Sequence, residues 1–133
     1  MFSPRKFLQS CRFAWRGLLA VARAEQNFRI QVIVAVVVLA LSVILRVRVV
    51  EFLALILVAA AVLVLECINS AVERLLDLVQ PRLHGYVREI KDIMAAAVLV
   101  ASFGAAVIGG VILLPYLWSQ CVLYFPMSAF TLR

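Results

Sequence analysis

The amino-acid sequence predicts an all-α membrane protein: an N-terminal amphipathic surface helix followed by three transmembrane helices, in one domain over 1–133. Three observations point there. The 133 residues are 66% hydrophobic and only 15% charged, whereas a soluble domain is charged at about a quarter of its positions. Mean hydropathy is +1.10. Apolar runs recur at 30–45, 52–65 and 93–114, and basic residues gather on alternate sides of them, as the positive-inside rule requires.

The same counts exclude other classes. The net charge of +6 is not gathered into a basic cluster interleaved with exposed aromatics, so nucleic acid is not a partner. Cys11, Cys67 and Cys121 are odd in number and far apart. That excludes a disulfide framework and a zinc site and leaves them as small apolar fillers. The first residues, "MFSPRKFLQSCRFAWRGLL", lack the uninterrupted apolar stretch and small-residue cleavage site of a signal peptide.

The first element is the surface helix, 1–29. At about 100° per residue, Arg5, Arg12, Arg16 and Arg23 fall within about 40° of one another. Phe7, Cys11, Trp15 and Leu18 lie broadly opposite. Such a helix rests on a membrane face with its arginines toward anionic headgroups and water. Glu25 falls near the apolar side of that wheel, so it either marks a helix break or has a cation to meet.

The spans follow at 30–46, 52–74 and 92–114. A crossing needs about 20 residues. The third run meets that alone, and the first two must borrow turns from polar flanks. Six basic residues precede the first span (Arg5, Lys6, Arg12, Arg16, Arg23, Arg29), and Arg74, Arg82, Arg88 and Lys91 lie between the second and third. Only Arg46 and Arg48 lie between the first two, partly balanced by Glu51. The N-terminus and the 74–92 connection therefore face the cytoplasm, and the C-terminus lies outside. Ala97, Ala101, Ala105 and Gly109 form a ridge of small residues suited to close helix approach. "GAAVIGG" is no phosphate loop, since no Lys-Ser/Thr follows it. After Pro115 the aromatic segment 115–133 reads as an interfacial tail on the outer face, with a fourth span as the other reading.

The chemistry gathers in "LECINSAVERLLD", 65–77. With Glu66 at 0° on the helical wheel, Asn69, Glu73 and Asp77 share a stripe about 80° wide. A solvated helix end explains Asp77 but not Glu66, which directly follows an unbroken apolar run. Ionisable groups at membrane depth face partners or cavities, and carboxylates near a helix C-terminus oppose its dipole. Aligned carboxylates offer hard oxygen ligands suited to Mg²⁺, and one set apart near lipid can act as a general base. Lys91 is either a phosphate contact or a positive-inside anchor. His84 is the single histidine and lies in a connection after Pro81, with no partners for a zinc site or a catalytic triad.

Together, "AWRGL" (14–18), "AEQNFR" (24–29), "LECINSAVERLLDLVQPRLH" (65–84) and "KD" followed by "AAAVL" (91–99) resemble the small bacterial membrane lipid kinases. These are prokaryotic diacylglycerol kinase and its relative undecaprenol kinase, and the similarity covers roughly residues 4–115. The resemblance implies a homotrimer in the bacterial cytoplasmic membrane, with active sites shared between subunits, ATP as co-substrate and Mg²⁺ as cofactor. By motif position it makes Glu66 the general base and Asn69 the polar residue supporting it. Glu25 and Glu73 become the metal carboxylates. Lys91 and Asp92 become the ATP-contacting pair, with His84, Lys6 and Asp77 also on the nucleotide side. Glu66, Trp15 and Ala95 border the lipid substrate. The chain departs from the family pattern at Arg82, where Glu is frequent, at Lys6, where Arg is common, and in "REI" before Lys91.

The expected function is ATP- and Mg²⁺-dependent phosphorylation of a membrane lipid alcohol, undecaprenol or diacylglycerol. Two other readings stand beside it. One is a small proton-coupled multispan transporter, which needs four spans and an acid deep within one. The other is a non-catalytic family member, suggested by Arg82.

Overall fold

The computed structural model describes residues 3–79 and 84–124. They form four α-helices: α1 (Pro4–Ala24), α2 (Gln26–Ile44), α3 (Val49–Val79) and α4 (His84–Tyr124). Three of these, α2, α3 and α4, are long and apolar enough to cross a membrane. Each span is longer than its apolar run, because the polar flanks continue the helix. At 1.5 Å per residue the 31 residues of α3 reach about 46 Å and the 41 of α4 about 60 Å. Both exceed a hydrocarbon core of about 30 Å.

The helix ends have local causes. Pro4 opens α1 at a position where its missing N–H costs nothing. The first segment breaks at Glu25, whose backbone is extended at φ −99, ψ 118. There the Glu25 N–H still donates to Val21 O, and Arg29 Nη1 donates to the carbonyls of Ala22 and Arg23. A guanidinium thus covers carbonyls that the end of α1 leaves free. The surface segment expected over 1–29 is therefore two pieces, with its last residues belonging to α2.

At the other end of α2 the chain turns through Arg46 at φ 53. Arg46 N–H donates to Val43 O and Val47 N–H to Ser42 O, the paired bonds that let a left-handed residue close a helix. An arginine takes the position that glycine would occupy without strain.

Helix α4 continues through Pro115 to Tyr124, into the segment 115–133 read as an interfacial tail. Residues 125–133 lie outside the described residues. Proline removes one backbone donor, and a tertiary tie holds the next turn. Tyr116 Oη donates to Glu51 Oε2 at 2.6 Å, and the Arg48 N–H donates to Tyr116 Oη at 3.4 Å. We expect Tyr116→Phe to lower unfolding stability by about 1 kcal/mol and leave catalysis unchanged. Denaturant unfolding in detergent checks this.

Helix α3 is central, packing on both α4 and α2, while α1 touches α2 and α3. The core is a narrow seam of Val21, Phe28, Leu55, Val62, Leu76, Val87, Val98 and Leu113. Large apolar side chains such as Leu57, Leu99 and Val111 face outward, as lipid contact or subunit contact requires. The small-residue ridge of α4 leaves room at Gly109, where an added Cβ meets nothing within 4 Å.

Candidate active site

The polar end of α3 acts as a ruler, with successive turns meeting different neighbours. Glu66 is buried, only 2% exposed, and accepts a hydrogen bond from Gln31 Nε2 of α2 at 3.3 Å. One turn on, Ser70, itself buried, donates from Oγ to Glu25 Oε1 at the α1–α2 break, 3.1 Å away. Arg74 Nη2 donates to the Ala20 carbonyl of α1 at 3.4 Å. Asp77 then accepts from Lys91 of α4 in an exposed ion pair. Within the helix, Asn69 Nδ2 donates to Glu73 Oε1 at 3.0 Å, the i, i+4 spacing that brings side chains into register.

These contacts settle what the wheel left open. Glu66 is not a solvated helix end, because α2 covers it, whereas Asp77 is exposed. Glu25 sits at a helix break, and its partner is a hydroxyl on α3. Asn69 Oδ1 is buried and accepts no hydrogen bond among the described residues.

An apolar groove of about 770 Å³ lies between α1, α2 and α3, lined by Trp15, Leu19, Phe28, Cys67 and Ile68 among others but not by Glu66 itself. Its walls are almost wholly apolar, and Cys67 is the immediate neighbour of Glu66. Trp15 is therefore brought toward the end of α3 that carries the carboxylates.

Three other expected site residues are not joined to the carboxylates among the described residues. Lys6, Asp92 and Ala95 are exposed, and none makes a side-chain hydrogen bond to the stripe among the described residues. Asp92 instead lines a shallow depression with Gly85, Arg88 and Glu89. His84 is the first residue of α4, and Arg82 lies outside the described residues. Among the described residues no three His, Cys, Asp or Glu side chains lie close enough together to hold a metal ion.

Two residues with no assigned role in the sequence reading enter the site, Gln31 and Ser70. Gln31 stands one residue into the apolar run 30–45. A lone amide there is the available signal, although its meaning depends on how α2 packs against α3.

Chemically, the site offers a water-shielded carboxylate on a helix that also walls an apolar groove, a group able to take a proton from a hydroxyl. It also offers Glu25 and Glu73, each accepting one hydrogen bond among the described residues and each with further lone pairs.

Comparison with known proteins agrees with this chemistry. The model of the prokaryotic diacylglycerol kinase family matches residues 12–113. A diacylglycerol kinase of Synechocystis sp. is 35% identical over 116 residues, covering 86% of this chain and 66% of that protein. The chain thus spans about two thirds of that relative's length. An undecaprenol kinase of Bacillus subtilis is 31% identical over 112 residues, covering 84% of this chain and 91% of that protein. The chain belongs to the prokaryotic diacylglycerol kinase family, and with it to the phosphotransferases that act on an alcohol group.

Proposed function

We propose that this protein transfers the γ-phosphoryl group of ATP to the hydroxyl of a membrane lipid alcohol, undecaprenol or diacylglycerol, in an Mg²⁺-dependent reaction. The burial of Glu66 on α3, the helix whose Cys67 and Ile68 also wall an apolar groove, carries the reading. A transporter acid would lie deep within one of four spans, whereas three helices among the described residues are long and apolar enough to span, and Glu66 lies beside the hydroxyl–carboxylate and amide–carboxylate pairs of Ser70–Glu25 and Asn69–Glu73.

In this mechanism the lipid alcohol enters from the groove past Trp15, with Ala95 also on the lipid side. Glu66 takes the hydroxyl proton as the alcohol oxygen attacks the γ-phosphorus, and ADP departs with the bridging oxygen. Glu25 and Glu73 would hold Mg²⁺; their all-oxygen donor set, with the unbonded Asn69 Oδ1 between them in sequence, suits that hard cation. Two protein carboxylates are enough, because Mg²⁺ takes its remaining ligands from phosphates and water. Bound there, it would offset the negative charge of the phosphates. Ser70 and Asn69 hold the two carboxylates in place. Lys91 leaves its exposed pair with Asp77 to meet a phosphate, at small cost because such pairs are weak in water. Asp92, His84, Lys6 and Asp77 complete the nucleotide side.

The exposure of Lys6, Asp92 and Ala95, with no side-chain hydrogen bond to the stripe among the described residues, fits a homotrimer in which each site is completed by another subunit. The arginine face of α1 fits a surface helix on the cytoplasmic leaflet, with the C-terminus outside. Purified protein given radiolabelled ATP with undecaprenol, diacylglycerol and ceramide in parallel tests the activity. We expect one of the first two to be labelled at least tenfold faster than ceramide. Labelling of none would refute the kinase reading.

A further inference from the structure

Gln31 is the direct partner of Glu66, yet this mechanism leaves it without a part. It sits in a run otherwise built of aliphatic residues, "IQVIVAVVVLA", and lines an apolar groove of about 480 Å³ with Val34, Ala35, Val62 and Ala105. Its Nε2 donates to Glu66 Oε2 at 3.3 Å. Its Oε1 is buried and accepts no hydrogen bond among the described residues. An orphan buried acceptor is destabilising and rare in folded proteins. A leucine at this position would avoid that cost, so packing alone does not account for an amide here.

The chemistry of Glu66 accounts for it. An ionised carboxylate can only accept hydrogen bonds, whereas a protonated one carries an O–H that must donate. During transfer the alcohol O–H bond breaks and its proton passes to Glu66. The alcohol oxygen bonds to the γ-phosphorus, whose bond to the bridging oxygen breaks, and the electron pair leaves with ADP. The buried carboxyl therefore changes from acceptor to donor in each turnover. A primary amide has both a donor end and an acceptor end; lysine and arginine only donate, and an ionised glutamate only accepts.

We propose that Gln31 is a positioning residue that serves Glu66 in both protonation states. Its Nε2 end holds the ionised carboxylate in line for the acceptor hydroxyl. Its Oε1 end, brought round by rotation of the amide, receives the O–H of Glu66 after transfer. This deepens the reading of Glu66 as the base and rests on it. Other charged and titratable groups near this end of the bundle have other engagements. Glu25, at the α1–α2 break, accepts from Ser70. On α2, Arg29 caps α1. On α3, Cys67 adjoins Glu66 in sequence, Glu73 accepts from Asn69 and Arg74 reaches α1. On α4, Lys91 pairs with Asp77, and Asp92 is exposed.

The test compares Gln31→Met and Gln31→Glu with the parent protein in lipid phosphorylation across pH. Losing the donor disfavours the charged carboxylate, so in Gln31→Met the acid limb of the kcat profile moves about one pH unit or more upward. We expect kcat to fall roughly 10–100-fold with KM for ATP unchanged. Gln31→Glu differs by one heavy atom and sets a second carboxyl against Glu66, so its acid limb also moves upward. A merely structural role would lower thermal stability and leave both limbs in place, which would overturn the proposal. A second readout needs no turnover: the infrared carboxyl band that vanishes in Glu66→Gln, titrated without lipid or ATP. If that band shifts in the Gln31 variants while the kinetic limb does not, the contact stands and the base assignment of Glu66 fails. If the band does not shift, the Gln31 proposal fails and the base assignment is untouched.

Discussion

Glu66→Gln abolishes lipid phosphorylation, lowering kcat by about 10²–10⁴, the usual contribution of a general base. The substitution keeps the size and shape of a side chain that is 2% exposed, so it opens no cavity. It also keeps a polar partner for Gln31, since an amide can pair with an amide as it pairs with a carboxylate. What it removes is proton affinity at a buried position on α3, the helix whose Cys67 lines the groove with Trp15 and Phe28. KM for ATP should stay within about twofold and thermal unfolding within about 1 kcal/mol, because neither nucleotide contact nor packing is touched. The oligomeric state by size-exclusion chromatography with light scattering should be the same as in the parent. Full activity in this variant would sink the base assignment, and loss of the oligomer would move the effect from chemistry to assembly.

How far the site is legible in sequence depends on the range of the interaction that makes it. The three spanning helices are legible because the bilayer imposes a long apolar run on each. The polar stripe is legible because helical geometry is local: Asn69 and Glu73 are one turn apart, and their hydrogen bond follows from spacing. The break at Glu25 is half-legible. The wheel shows a carboxylate on the wrong face, but only the fold decides that a break, together with a serine on α3, resolves it. Gln31 is not legible as a partner of Glu66, because the pair is 35 residues apart and meets only through the packing of α2 on α3. The extent of α4 is hidden for a similar reason. Pro115 reads locally as an end, while the bond from Tyr116 to Glu51 that holds the next turn spans 65 residues. Lys6, Asp92 and Ala95 show the opposite case. Their roles come from motif position, and the single chain leaves them exposed, with no side-chain hydrogen bond to the stripe among the described residues.

Glu73→Ala separates the metal carboxylates from the base. Glu73 is half-buried on α3 and accepts from Asn69 Nδ2. Truncation removes one of two carboxylates proposed for Mg²⁺ and frees the amide that holds it. The Mg²⁺ concentration for half-maximal activity should rise at least 10–100-fold, the range seen when even outer-shell support of a metal is lost. KM for ATP should rise with it, because nucleotide and cation bind as one unit. Glu73→Gln keeps the length and the hydrogen bond to Asn69 but loses the charge, so it should show a similar Mg²⁺ shift with less change in thermal stability. That ordering tells a metal ligand from a helix-stabilising residue: a structural role predicts that the glutamine variant is nearly normal in its Mg²⁺ titration. Both differ from Glu66→Gln, which should stop transfer while leaving Mg²⁺ and ATP titrations of binding unchanged. An unaltered Mg²⁺ titration in Glu73→Ala would refute the metal role and leave Glu25 as the one carboxylate still proposed for the cation.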